Sequence, residues 1–552
     1  MRNIILPLVI ILCATAAHAQ DTLSKEDIKM AAKVADITYT QSEIDSLYEG
    51  AVNNTDNYKR MHKMSLNNNV PTTLVQNPVL PGMHFNTKQE VINWNIPANV
   101  QLPKNRNELA FYNILQLASL LKNKKITSVE LTTFFINRLK QFGDTLQCVI
   151  SITEDIAMQQ AKQADDEISK GKYRGPLHGI PYGLKDLFAV KGTKTTWGAA
   201  PYKDQIVDED AYVYTRLKDA GAVLIAKLTM GALAMGDRWF GGQTKNPWNL
   251  KFGSSGSSAG SSSATVAGLV PFAIGTETWG SIVSPATTCG AVGLRPTFGS
   301  ISRSGAMVLS WSLDKAGPIC RTAEDAAIVF NYIHGTDGKD ASAVNMPFNY
   351  KQHIDLKKLR IGYAQNYYNN IKDTTRNEWV VLNEFKKMGV QLIPVTLPDS
   401  TASNANIMGI IISSECAAAF DDFTRSNLDD EMTWQTKNDW PTQFRTAQLV
   451  PAVEYINANR HRYQLMQKMQ TAIDNVDLII CPTKSSGNQN AVTNLTGNPV
   501  VCVPIGFDKR NGLPISITLI GKLYDEATIL EVAKIYQAAT QWKDMHPEMF
   551  KN

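Results

Sequence analysis

Between Gly253 and Ser263 the chain reads Gly-Ser-Ser-Gly-Ser-Ser-Ala-Gly-Ser-Ser-Ser, with seven serines and three glycines in eleven residues. Such a composition usually makes a flexible linker. Two features argue against one here. The segment runs directly into Ala264-Thr-Val-Ala-Gly-Leu-Val-Pro-Phe-Ala-Ile274, an apolar run suited to a core, and a second small-residue cluster, Gly275 to Pro285, follows at once. Glycine-rich turns beside core segments occur where backbone must approach something closely, as at an anion or oxyanion site. On composition alone, linker and site both stay open.

A second constraint lies upstream, in Gly175-Pro-Leu-His-Gly-Ile-Pro-Tyr-Gly-Leu-Lys-Asp186. An isolated lysine is ordinarily a solvated surface residue. Lys185, however, stands between Leu184 and Asp186, with Leu187 and Phe188 next. If buried it would lose its charge readily, because desolvation lowers an amine pKa from ~10.4 by several units. A neutral amine can then act as a general base near pH 7. Together these segments offer serines, a lysine base and backbone amides for an oxyanion.

The rest of the 552 residues reads as scaffold around them. Met1 to Ala19 has a basic start, an apolar stretch and Ala17-His18-Ala19, the pattern of a cleaved export signal, so the mature chain is expected to begin at Gln20 and act in the periplasm or outside the cell. The apolar stretch is shorter than the ~20 residues a membrane span needs, and no membrane anchor is expected. Six cysteines follow the signal, without metal spacing or a dense disulfide framework. Lys+Arg 55 against Asp+Glu 51 leaves a net charge of +4. With no run of like charge, no nucleic-acid or membrane-surface footprint is expected.

Residues 20–107 read as a polar lead-in, helical after the capping box Ser24 to Asp27 and irregular where Asn and Pro recur. From Glu108 onward helix and strand patterns alternate. Thr127 to Glu130 is a capping box for a helix carrying Leu131, Phe134, Phe135 and Leu139. Ala222–Ala226, Leu359–Tyr363, Val390–Val395 and Leu478–Cys481 read as buried strands, with a helix over Asn377–Met388. This is an α/β pattern built on a mostly parallel or mixed sheet.

From about 108 to 545 the chain resembles the amidase signature hydrolases, in six motifs that occur in the family's order. GPLHGIP-x-x-LKD matches Gly175 to Asp186. A GGSSGGS-rich loop matches Ser255 to Ser261, and GTDTGGSIR-x-PA-x-x-CG-x-VGLKPT matches Gly275 to Thr297. Ser312 to Pro318, Asp477 to Thr483 and Asn511 to Gly521 also fit. The resemblance implies a central mixed sheet flanked by helices on both faces and a Ser–cis-Ser–Lys triad. Carried over, it makes Lys185 the base, Ser257 the bridging cis-serine and Ser281 the nucleophile, with Ser258 in support. Backbone N–H groups of Thr278, Trp279, Gly280 and Ser281 would form the oxyanion hole. It implies no metal and no cofactor, and a small-molecule amide as substrate. Two roles fit residues 20–107, a cover over the site or a homodimer contact.

Departures bear on specificity. Trp279 replaces a glycine beside the nucleophile, Glu277 replaces an aspartate, and Val283-Ser284 stands where Arg and a small residue are usual. Ser255 and Ala259 also replace glycines. Competing readings are an amidotransferase A-type subunit, which shares fold and triad but works in the cytoplasm with tRNA and a partner chain, and a binding protein without catalysis. A serine esterase is a third, since Gly256-Ser-Ser-Ala-Gly260 satisfies G-x-S-x-G with Ser258 as nucleophile. That elbow should follow a strand, and Asn246 to Phe252 lacks a strand pattern. Ser312 to Lys315 satisfies S-x-x-K without its companion motifs and reads as chance, with Asp314 structural.

Overall fold

The computed structural model describes residues 23–64, 67–399, 401–484 and 487–551. The expected export signal, with Cys13, lies outside the described residues. Those up to Met64 form one unit and those from Asn67 a second. In the first, helices Lys25–Val34 and Gln41–Met61 each open on a capping box, Ser24 with Asp27 and Thr40 with Glu43. Ile28, Ala32 and Ile44 are its buried apolar side chains.

The second unit is built on an eleven-stranded sheet. In spatial order its strands are Val149–Ile152, Val223–Leu228, Pro181–Lys185, Ala273–Glu277, Lys315–Cys320, Val292–Arg295, Val500–Phe507, Pro514–Gly521, Leu478–Pro482, Ile361–Ala364 and Leu392–Val395. Pro181–Lys185 runs parallel to both its neighbours. Most other pairs are antiparallel, so the sheet is mixed. Both faces are covered, as alternation along the strands shows. Leu478 and Ile480 join one apolar cluster, whereas Ile479 and Cys481 join another. Val501 and Val503 divide from Val500 and Cys502 in the same way.

The helix after Thr127 spans Ser128–Leu146 and buries Leu131, Phe135 and Leu139, while Phe134 is half-buried. The expected helix near 377 spans Asn377–Lys387. One strand differs from expectation: Leu392–Val395 occupies a sheet edge, and only Val395 is buried. Pro394, which has no N–H for a ladder, suits that edge. Residues 67–105 contain neither helix nor strand but belong with the large unit, so the contacts divide well before residue 107. Gln89 exchanges hydrogen bonds with the backbone of Phe348 at 2.8 and 2.9 Å, and Trp94 stacks on Tyr350. Cys148, Cys289, Cys320, Cys416, Cys481 and Cys502 are buried and unpaired. No helix among the described residues is long and apolar enough to cross a membrane.

Candidate active site

Lys185 ends a fully buried strand that lies between two others. The register Leu184↔Ile274 carries its side chain alongside Gly275 and Thr276. Its Nζ lies 2.9 Å from Ser257 Oγ, 3.2 Å from Ser258 Oγ and 2.8 Å from Thr276 Oγ1. Lys185, Ser257 and Ser258 have no exposed surface. Burial lowers the Lys185 pKa to about 7, against the opposing pull of Asp314 and Glu277. The uncharged amine is therefore accessible near neutrality. Ser258 Oγ donates to Thr276 O at 3.0 Å and accepts from Thr276 N–H at 3.1 Å, so its hydroxyl proton is committed. Neutral Lys185 can give its two N–H groups to Ser258 and Thr276, which leaves the lone pair for the Ser257 hydroxyl.

The Gly/Ser segment is not a linker. Its second half is the helix Ala259–Val266, buried at every residue. Ser261 Oγ donates to Ile274 O at 3.0 Å and Ser263 Oγ to Lys245 O at 2.8 Å, so these serines tie the helix to its surroundings. The peptide bond between Gly256 and Ser257 is cis. A Cβ on Gly256 would lie 1.8 Å from Gly236 O, which is why only glycine fits there. Ser257 O accepts from Gly231 N–H at 3.2 Å, and Ser258 N–H donates to Ser281 O at 3.1 Å. The second contact joins the bridging turn to the nucleophile's backbone.

The loop after strand Ala273–Glu277 is held from two sides. Glu277 Oε2 accepts from Ile282 and Val283 N–H, both at 2.9 Å. Its Oε1 accepts from Asn494 at 2.8 Å and Arg295 at 3.2 Å, a fully buried ion pair. Burial pushes this carboxyl up, but Arg295 and the Val283 N–H hold it below its ordinary pKa. Thr278 Oγ1 donates to Asp314 Oδ1 at 2.5 Å, and Asp314 Oδ2 accepts from Leu309 and Ser310 N–H. Between these anchors, the N–H groups of Thr278, Trp279, Gly280 and Ser281 have no acceptor among the described residues. Unpaired donors on a held loop are what an oxyanion requires. Gly280 has φ +87°, whereas Trp279 is not in the left-handed region, so tryptophan is tolerated there. Trp279 is 39% exposed beside the barely exposed Ser281. Val283, by contrast, is fully buried in a core cluster and presents nothing to a substrate.

Two expectations need correction or completion. A strand, Asn249–Gly253, does precede the G-x-S-x-G stretch, paired in a short ribbon with Lys245–Asn246. The sequence does not mark it as a strand, because none of its residues is buried and it carries no apolar alternation. The esterase reading still fails, since Ser258 Oγ is buried with its hydrogen bonds committed to Lys185 and Thr276. Ser312 and Lys315 are not paired either: Ser312 Oγ donates to Glu415, and Lys315 Nζ to Leu313 O. Thr276, in the strand Ala273–Glu277, is a further partner of Lys185 that the sequence motifs do not single out. Among the described residues no group of three or more His, Cys, Asp or Glu could hold a metal ion.

The sheet and the lysine–serine cluster define an α/β enzyme of amide chemistry. The chain belongs to the amidase family, whose profile, described as Amidase, matches residues 130–530. Members of this family are C–N amide hydrolases and amidotransferases. Relatives include the A-type subunit of the glutamyl-tRNA(Gln) amidotransferase of Coxiella burnetii, 33% identical over 481 residues, covering 79% of this chain and 99% of the relative. Its counterpart in Methylococcus capsulatus is 33% identical over 479 residues, covering 79% and 98%. Among solved structures, the native peptide amidase of Stenotrophomonas maltophilia superposes with a TM-score of 0.72 at 28% identity, covering 79% of this chain and 98% of that one.

Proposed function

We propose that the chain hydrolyses a carboxylic amide through an acyl-enzyme on Ser281, with Ser257 relaying protons to Lys185. The observation that carries this reading is the buried Lys185 amine, 2.9 Å from Ser257 Oγ, with its other hydrogen-bonding positions taken by Ser258 and Thr276. Lys185 takes the Ser257 proton while Ser257 takes that of Ser281, and Ser281 Oγ bonds to the amide carbon. The carbonyl oxygen becomes an oxyanion facing the unpaired N–H groups of residues 278–281, one such donor being worth about 10²–10³ in rate. The proton returns through Ser257 to the nitrogen, the C–N bond breaks, and ammonia or an amine leaves. Water, deprotonated by the same relay, then releases the carboxylic acid.

Two settings for this chemistry have support. The names of the curated relatives favour one component of an amidotransferase, a reading that requires partner chains and makes glutamine the expected amide. The likeness to a peptide amidase favours a hydrolase of amides. The export pattern of residues 1–19 favours independent action, and we infer that this segment directs the chain out of the cytoplasm. Ammonia release from an amide panel, with and without glutamine, separates the settings. So does purification of the tagged chain from its own cells, since co-eluting partners would support the amidotransferase. Labelling by a fluorophosphonate should fall on Ser281, and labelling of Ser258 instead would overturn the mechanism. Mature protein that still begins at Met1 would overturn the export reading.

A further inference from the structure

A cavity of about 280 Å³ opens beside this cluster, reaching Thr276, the partner of Lys185, and Thr278, the first residue of the oxyanion loop. One wall is Leu187 and Phe188, which follow the lysine, and another is Met307 to Leu309. A third comes from Asn69 to Val75, far from the triad in sequence and ahead of the family match, which begins at residue 130.

This short segment is fixed at both ends. The Asn68 side chain donates to Val308 O at 2.9 Å and Ala419 O at 3.2 Å, and accepts from Val308 N–H at 2.8 Å. Pro78 is buried against Gly497, where an added Cβ would come within 2.8 Å of the proline ring. Between the two anchors, Leu74 and Val75 line the cavity with 70% and 47% of their surface uncovered. Three half-buried charges of the lining, Arg303, Asp340 and Asp314, are already engaged. Arg303 is bidentate to Asp340 at 2.8 and 3.0 Å, and Asp314 is held by Thr278 and two backbone N–H groups. Lys315 is buried and donates to Leu313 O. The remaining charged groups, Glu209 and Lys339, are half-buried and exposed.

We propose that residues 68–78 are a strap that completes the acyl pocket, with Leu74 and Val75 selecting amides whose acyl group is uncharged and apolar. Covering uncovered apolar side chains is favourable in proportion to the area removed from water, whereas burying an ionic acyl group against them would cost its hydration. The inference rests on the amidase reading above, which supplies the acyl-enzyme. It adds a specificity determinant from outside the family's shared region.

The test uses the full chain, its Leu74→Ser/Val75→Ser variant and its Asn68→Ala variant, with hexanamide and acetamide as substrates. The ratio of kcat/KM for hexanamide over acetamide should fall about tenfold in both variants, the range that small changes in an apolar pocket produce. A ratio within twofold of the original would overturn the strap. Hexanamide binding by calorimetry to Ser281→Ala, with and without the Leu74→Ser/Val75→Ser pair, gives a readout independent of turnover. Weaker binding on adding the pair supports the strap, and equal or undetectable binding refutes it. If the original chain hydrolyses neither amide, calorimetry alone decides the strap, while the amide panel and the labelling of Ser281 decide the amidase reading separately.

Discussion

In the proposed mechanism Lys185 is the residue on which the chemistry turns, because its proton affinity is set by its surroundings. Its amine becomes basic only after losing a proton, so kcat/KM should rise with pH through about 7 and level off above. A profile that peaks near pH 5 would refute a lysine base. Lys185→Ala should lose about 10²–10⁴ in kcat while keeping its far-ultraviolet circular dichroism. Ser258 sits in the same contacts but plays another part. Ser258→Ala would leave Thr276 N–H and O without their side-chain partner, and should cost about 1–3 kcal/mol in a urea titration. Ser255 holds a left-handed φ of +61° where related loops have glycine. Ser255→Gly should therefore stabilise the fold, by about 1 kcal/mol, measured in the same way.

At the scale of elements, the proposed mechanism draws its base from the Lys185 strand and its relay, Ser257, from the Gly/Ser turn. In the same proposal, the loop after Glu277 presents Ser281 as nucleophile and the 278–281 amides as oxyanion donors. That loop keeps its shape because Glu277 ties it to Arg295 and to helix Gln489–Thr496 through Asn494. Glu277→Gln would leave Arg295 buried without a countercharge, a loss that typically costs about 3–5 kcal/mol. The melting temperature should fall, and kcat should fall further than the binding of an unreactive amide. An unchanged kcat would mean that the loop is held by other contacts. The order of motifs marks Lys185, Ser257 and Ser281 as candidates from the sequence alone, because each stands at a fixed step within a short local pattern. Glu277 with Asn494, 217 residues apart, and Asn68 with Val308, 240 apart, carry no local pattern and were not legible.

For the whole molecule, the two units make separate claims. The helical pair up to Met64 has its own caps and small core, and the amidase unit from Asn67 has its own sheet. A chain starting at Asn67 should thus unfold in a single calorimetric transition and keep its activity. Loss of cooperative unfolding in that chain would show that the first unit is part of the same fold. The alternation of apolar segments and the spacing of six motifs determined the α/β class, the family and the residues to watch. Tertiary structure alone decided that Lys185 is stripped of water, that residues 68–78 reach the cavity, and that the 278–281 amides go unpaired. The reason is physical: hydrophobic period and turn chemistry are written in neighbouring residues. Desolvation, long-range hydrogen bonding and cavity walls are properties of whatever the folded chain brings alongside.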